Sequence, residues 1–127
     1  MQVFDVATDT RFGNGQARFA TPSGNIACLL QAGEARCDVR NRTWPIPPAP
    51  ASCTLDYGTG TVVAAGRPGE LSCVGDTIAD PSLPELAYGQ GVRLGDLVCV
   101  SRETGVRCED ERSGHGFAVA RASYDLF

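Results

Sequence analysis

Apolar residues occur along this chain in short bursts, separated by turn-forming residues roughly every eight to twelve positions. TVVAA (61–65), ELSCV (70–74) and DLVCV (96–100) have the length and aliphatic content of strands. The pattern predicts a single all-β domain built of β-hairpins, a small barrel or sandwich. Residues 1–18 read as an N-terminal extension, and residues 19–127 as the domain.

A short motif recurs within the pattern. GNIAC (24–28), GELSC (69–73) and GDLVC (95–99) each give Gly, a polar residue, Ile or Leu, any residue, then Cys. In each, the aliphatic residue and the Cys are two apart and so share one face of a strand. Three copies raise the alternative of a β-trefoil-like fold. Their unequal spacing, 45 and then 26 residues, argues against it.

The first and third copies extend further. GNIACLLQAGEARCDV (24–39) and GDLVCVSRETGVRCED (95–110) place Arg36-Cys37 and Arg107-Cys108 at the same distance from the leading Cys. A two-residue turn at Ala32-Gly33 would set Gln31 opposite Glu34 and Cys28 opposite Cys37. Opposed residues of an antiparallel pair lie close enough for a disulfide. The third copy turns through Arg102-Glu103-Thr104-Gly105. The middle copy has no Cys nine residues on, which leaves Cys53 as the partner of Cys73. The predicted bridges are therefore Cys28–Cys37, Cys53–Cys73 and Cys99–Cys108. Each hairpin bridge is worth roughly 2–3 kcal/mol by loop entropy.

Elsewhere, Arg67-Pro68-Gly69 reads as the turn between TVVAA and ELSCV. WPIPPAPASC (44–53) is too proline-rich for a helix or central strand and predicts an extended connector with Trp44 packed on the body. DPSLPELAYG (80–89) is the one candidate for a helical turn, with Ser82 and Glu85 at capping-box spacing. FAVARASY (117–124) reads as the last strand, with Arg121 and Ser123 on the face of Phe117, so that this face emerges to solvent midway.

Composition narrows the functional classes. The chain has 127 residues, 43% of them hydrophobic, and a net charge of −4. Its eleven basic residues are all Arg and are scattered, which disfavours nucleic-acid binding, where a basic patch is needed. No run approaches the roughly 20 apolar residues of a transmembrane helix. The start, MQVFDVATDT, has no basic segment followed by an apolar stretch, so any signal peptide lies outside this sequence. Six cysteines in a small chain predict a disulfide framework and hence a secreted or periplasmic setting. Their wide spacing and the single His disfavour zinc. CEDER (108–112) lacks the ligand spacing of a calcium loop. No metal and no cofactor is expected.

Candidate chemistry is sparse. His115, in SGHGF, would need a partner such as Ser113, Asp110 or Asp125 to act in catalysis, and no nucleophile-turn motif accompanies it. Asp76 in GDT fits an Asx-turn. Asn25, Glu70 and Asp96 stand at equivalent strand entries beside glycines, where they could line a binding rim. The candidate binding residues are His115, Phe117, Arg121, Asn25 and Asp76, and no catalytic residue is assigned.

FATPSGNIAC (19–28), LAYGQGVRLGDLVC (86–99) and GHGFAVARASYDLF (114–127) resemble a family of small secreted, disulfide-bonded bacterial domains. That family shows F-x-[ST]-P-S-G-N-I-x-C early and G-H-G-F-x-x-x-R-x-x-Y-x-x-F at its end. Its intervening D-W-G and L-P-Y-G elements here read Asp56-Tyr57-Gly58 and Leu86-Ala87-Tyr88-Gly89. The resemblance implies export and an envelope or extracellular setting, with no activity attached. The expected function is a non-enzymatic exported module that binds an envelope protein or glycan. An inhibitor of an extracellular hydrolase and a hydrolase using His115 are the alternatives.

Overall fold

A computed structural model describes residues 2–9, 11–12 and 15–127. Eleven strands form two sheets, with no helix among the elements of the described residues. The first sheet contains β2 (Ala17–Ala20), β3 (Ile26–Gln31), β4 (Glu34–Val39), β5 (Asp56–Ala64) and β6 (Glu70–Val74) in chain order. The second contains β7 (Gln90–Leu94), β8 (Leu97–Arg102), β9 (Gly105–Asp110), β10 (Gly116–Val119) and β11 (Tyr124–Leu126), also in chain order. β1 (Gln2–Asp5) adds to the second sheet, parallel to β7. Within the stretch read as an extension, the described residues include β1, and Val6 and Phe12 join the buried core.

The architecture is a duplicated five-strand meander folded into a sandwich. The β3–β4 ladder runs from Ile26↔Val39 through Cys28↔Cys37 to Gln31↔Glu34. The β8–β9 ladder runs from Leu97↔Asp110 through Cys99↔Cys108 to Arg102↔Gly105, in the same register. The agreement continues outward. Phe19, Cys28, Cys37, Thr61 and Leu71 form one cross-strand row. Val92, Cys99, Cys108, Phe117 and Leu126 form its counterpart. Gly60 and Gly116 also correspond. A Cβ at either would run into the carbonyl oxygen of the cysteine on the neighbouring strand, Cys37 or Cys108. The middle sequence copy lies in β6, the outer strand of its sheet. The symmetry is therefore twofold rather than the threefold of a trefoil, and the sheets make a sandwich rather than a closed barrel.

All three disulfides pair as the spacing predicts: Cys28–Cys37, Cys53–Cys73 and Cys99–Cys108. The hairpin bridges join directly opposed residues with Cα atoms 4.1 Å apart. All four of their cysteines are fully buried, whereas Cys73 is exposed and Cys53 half-buried.

Several local expectations are corrected. The last strand is not continuous: the chain reverses through 120–123, closed by Ala120 N–H to Ser123 C=O at 2.9 Å. Phe117 therefore stays on the core face and is fully buried, while Arg121 stands exposed in the turn. The β5–β6 turn lies at Ala65-Gly66, before Arg67-Pro68-Gly69. Gly66 takes a left-handed φ of 76°, and Arg67 N–H bonds Ala64 C=O. No helical turn forms at 80–89. Asp80 accepts from Ser82 N–H and O–H instead, and Pro84 and Leu86 bond the free backbone of β2 at Ala20. The proline-rich stretch is an extended connector, and Trp44 is buried with its ring edge-to-face against Tyr124.

Candidate functional site

The duplicated fold builds two related clefts, one at each end of the sandwich. Each combines two hairpin turns of one half with the strand entry and exit of the other. At one end the β8–β9 turn (Arg102–Gly105) and the β10–β11 turn (Ala120, Arg121) face Thr21–Ile26 and Asn41 across a cleft of about 540 Å³. At the other, Ala32-Gly33 and Ala65-Gly66 face Leu94–Leu97 and Asp110–Ser113 across about 640 Å³. By the register of the two meanders, Arg121 stands where the other half has Ala65, and Asn25 where it has Asp96.

The first cleft brings together two residues singled out in the sequence, Asn25 and Arg121, although each was read separately. Asn25 accepts from Asn41 N–H at 2.8 Å and donates to Asn41 C=O at 3.0 Å, which clasps the base of the β3–β4 hairpin. Thr43 N–H bonds Arg121 C=O at 2.8 Å and fixes the β10–β11 turn. Gly89 N–H bonds Ser101 C=O at 2.7 Å, which sets Tyr88 beside Arg102. Among the described residues, Tyr88 is one of four large hydrophobics exposed at the surface. The ion pairs of the described residues engage Arg11, Arg36, Arg67, Arg93 and Arg107. Neither Arg102 nor Arg121 takes part in one. Tyr88, Arg102 and Asn41 were not singled out from the sequence as site residues. The available signals were the Tyr in LAYG and the charged tip of the third copy's hairpin.

The remaining candidates lie elsewhere. His115 precedes β10 and Arg121 follows it, so the strand holds them at opposite ends of the sandwich. Two of the three groups named as possible partners of His115, Ser113 and Asp110, are otherwise engaged. Ser113 Oγ donates to Asp110 at 2.8 Å and accepts from the backbone N–H of His115 at 3.3 Å. Asp110 also accepts from Gly66 N–H at 2.8 Å and Arg112 N–H at 3.1 Å. The Gly66 N–H, the Ser113 hydroxyl and the Arg112 N–H hold its carboxyl below the usual range against the opposing effect of burial. Asp125 pairs opposite Ala118 on β11.

Asp76 forms no Asx-turn. Its carboxylate takes the outer side of Arg36 at 3.2 Å, while Asp38 grips Arg36 with both oxygens and accepts Ile78 N–H at 2.9 Å. Glu70 pairs with Arg67 at 3.7 Å, and Asp96 lines the second cleft. The three polar strand-entry residues therefore share no rim. Phe117, being buried, belongs to the core.

Strands β2 to β11 and both clefts fall within one family match, which covers residues 5–127. The chain belongs to DUF6636, a family of unknown function. No curated protein and no solved structure matches it. In this DUF6636 domain no cluster of three or more His, Cys, Asp and Glu residues is placed to hold a metal among the described residues. No helix of the described residues is long and apolar enough to cross a membrane. Three disulfides are compatible with an oxidising setting.

Proposed function

We propose that this DUF6636 domain is a non-enzymatic binding module exported to the periplasm or cell exterior, and that it holds an envelope partner in the Arg102–Arg121 cleft. The observation that carries this reading is the pairing of unengaged side chains with a rigid frame. Arg102, Arg121 and Tyr88 stand free on turns anchored by backbone hydrogen bonds and by buried disulfides. Such pre-organisation lowers the entropy cost of binding. The disulfide framework supports export. At the His115 end, the nearby hydroxyl and carboxylate are occupied by backbone and by each other, which gives the hydrolase alternative no support.

Binding without turnover separates these readings. The domain is incubated with envelope polysaccharides and peptides, and the recovered ligands are analysed by mass spectrometry. The expected result is retention of a ligand with unaltered mass. Cleavage products that disappear in His115→Ala would overturn the proposal in favour of a hydrolase.

A further inference from the structure

Resting on the binding-module reading, we infer that the Arg102–Arg121 cleft takes an acidic saccharide, a sugar unit bearing a carboxylate. The comparison internal to the molecule carries the argument. The two clefts share one backbone plan, so their side chains show what has been changed at each end. The second cleft carries two carboxylates, Asp96 and Asp110, against Arg112. Its walls are tied together where Asp110 accepts from Gly66 N–H. The first cleft reverses the charge, with Arg102 and Arg121 against Glu103. There Val39 occupies the position of Asp110 in the ladder, so that carboxylate tie between the walls has no counterpart.

The groups left facing the first cleft suit a carboxylated sugar. A guanidinium fork matches a carboxylate with two parallel hydrogen bonds. Two such forks on adjacent turns give the cleft its surplus of positive charge. The exposed ring of Tyr88 offers a flat apolar face with a polar tip. Asn41 and Thr104 add an amide and a hydroxyl group for sugar hydroxyls. A volume of about 540 Å³ lies within the range of small-ligand sites. Most of the residues that line it bear polar side chains, which suits a ligand rich in hydroxyl groups.

The test is isothermal titration with a trimer of galacturonic acid, a neutral glucose trimer and an acidic peptide. The acidic trimer is expected to bind at least about tenfold more tightly than the neutral one, and less tightly as salt rises. Arg102→Ala and Arg121→Ala should each weaken it about tenfold, and Arg112→Ala, at the other cleft, should leave it unchanged. Both cleft arginines are exposed, so the unfolding midpoint should stay constant and separate lost binding from lost structure. Equal binding of the neutral trimer, or undiminished binding by the double arginine variant, would overturn the inference. Binding of the peptide alone at this cleft would overturn the saccharide assignment and leave the binding-module reading standing. Cleavage of the acidic trimer would overturn the binding-module reading itself.

Discussion

Cys37 and Cys108, one from each sheet, bring their sulfurs to 3.8 Å in the centre of the sandwich. Each sulfur is already bonded within its own hairpin, so the contact is packing between two disulfides. The same hairpin, used twice, thus supplies both the staple of each sheet and the contact between them. Replacing Cys28 and Cys37 by Ala, or Cys99 and Cys108, should cost about 2–4 kcal/mol each in urea unfolding. Because the bridges touch, removing both should depart from the sum of the two losses. Additive losses would mean that the contact carries no coupling.

Accessibility orders the disulfides under mild reduction. Cys73 is exposed, while the four hairpin cysteines are fully buried. Limiting reductant followed by alkylation and peptide mapping should label Cys53 and Cys73 first. Early labelling of Cys28 or Cys99 would contradict the burial pattern.

Phe117 and Arg121 are four residues apart and should behave oppositely. Phe117→Ala removes a fully buried ring and should cost about 3–5 kcal/mol. Arg121→Ala alters an exposed turn side chain and should stay within about 0.5 kcal/mol. Equilibrium unfolding of the two variants checks both.

The two carboxylates on Arg36 are also unequal. Asp38 is nearly buried, holds Arg36 through two hydrogen bonds and accepts Ile78 N–H, so Asp38→Ala should cost about 3 kcal/mol. The Asp76 side chain is 81% exposed, and its loss should cost less than about 1 kcal/mol. Denaturant midpoints of the two variants distinguish them.

Asp110 predicts part of the acid limb of stability. Its pKa is lowered in the folded state by the Gly66 N–H, the Ser113 hydroxyl and the Arg112 N–H. Its contribution is therefore complete above the ordinary carboxylate value of about 4 and is lost as pH falls through the lowered folded value. Asp9 and Asp80 shift in the same direction, held by Arg11 and by Ser82. Asp110→Ala should therefore flatten only part of the fall in unfolding free energy between about pH 5 and pH 2. A variant with the wild-type slope would show that Asp110 plays no part.

The hairpins were legible in the sequence because a two-residue turn and a period of two fix which residues oppose one another. Cys28–Cys37 and Cys99–Cys108 followed from that register, and Cys53–Cys73 by elimination. The turn at 120–123 was not legible, since Arg121, Ala122 and Ser123 carry no Gly or Pro and the apolar alternation runs on through them. β1 escaped notice because it pairs in parallel with a strand far along the chain, which no local pattern records. The clefts were hidden for the same reason. Asn25 and Arg121 meet only after two remote meanders pack face to face. The correspondence of Arg121 with Ala65 exists in the sheet topology, not in any shared motif.

A duplicated frame that carries its ligand at one end only should respond to that ligand at one end only. Two-dimensional amide NMR of the labelled domain, titrated with the galacturonic acid trimer, tests this most directly. The predicted result is a set of shifts at Tyr88, Arg102–Gly105 and Arg121, with Gly33, Gly66 and Ser113 unmoved. Shifts centred on Ser113 and His115, with the arginine cleft silent, would place the ligand at the opposite end and overturn the assignment.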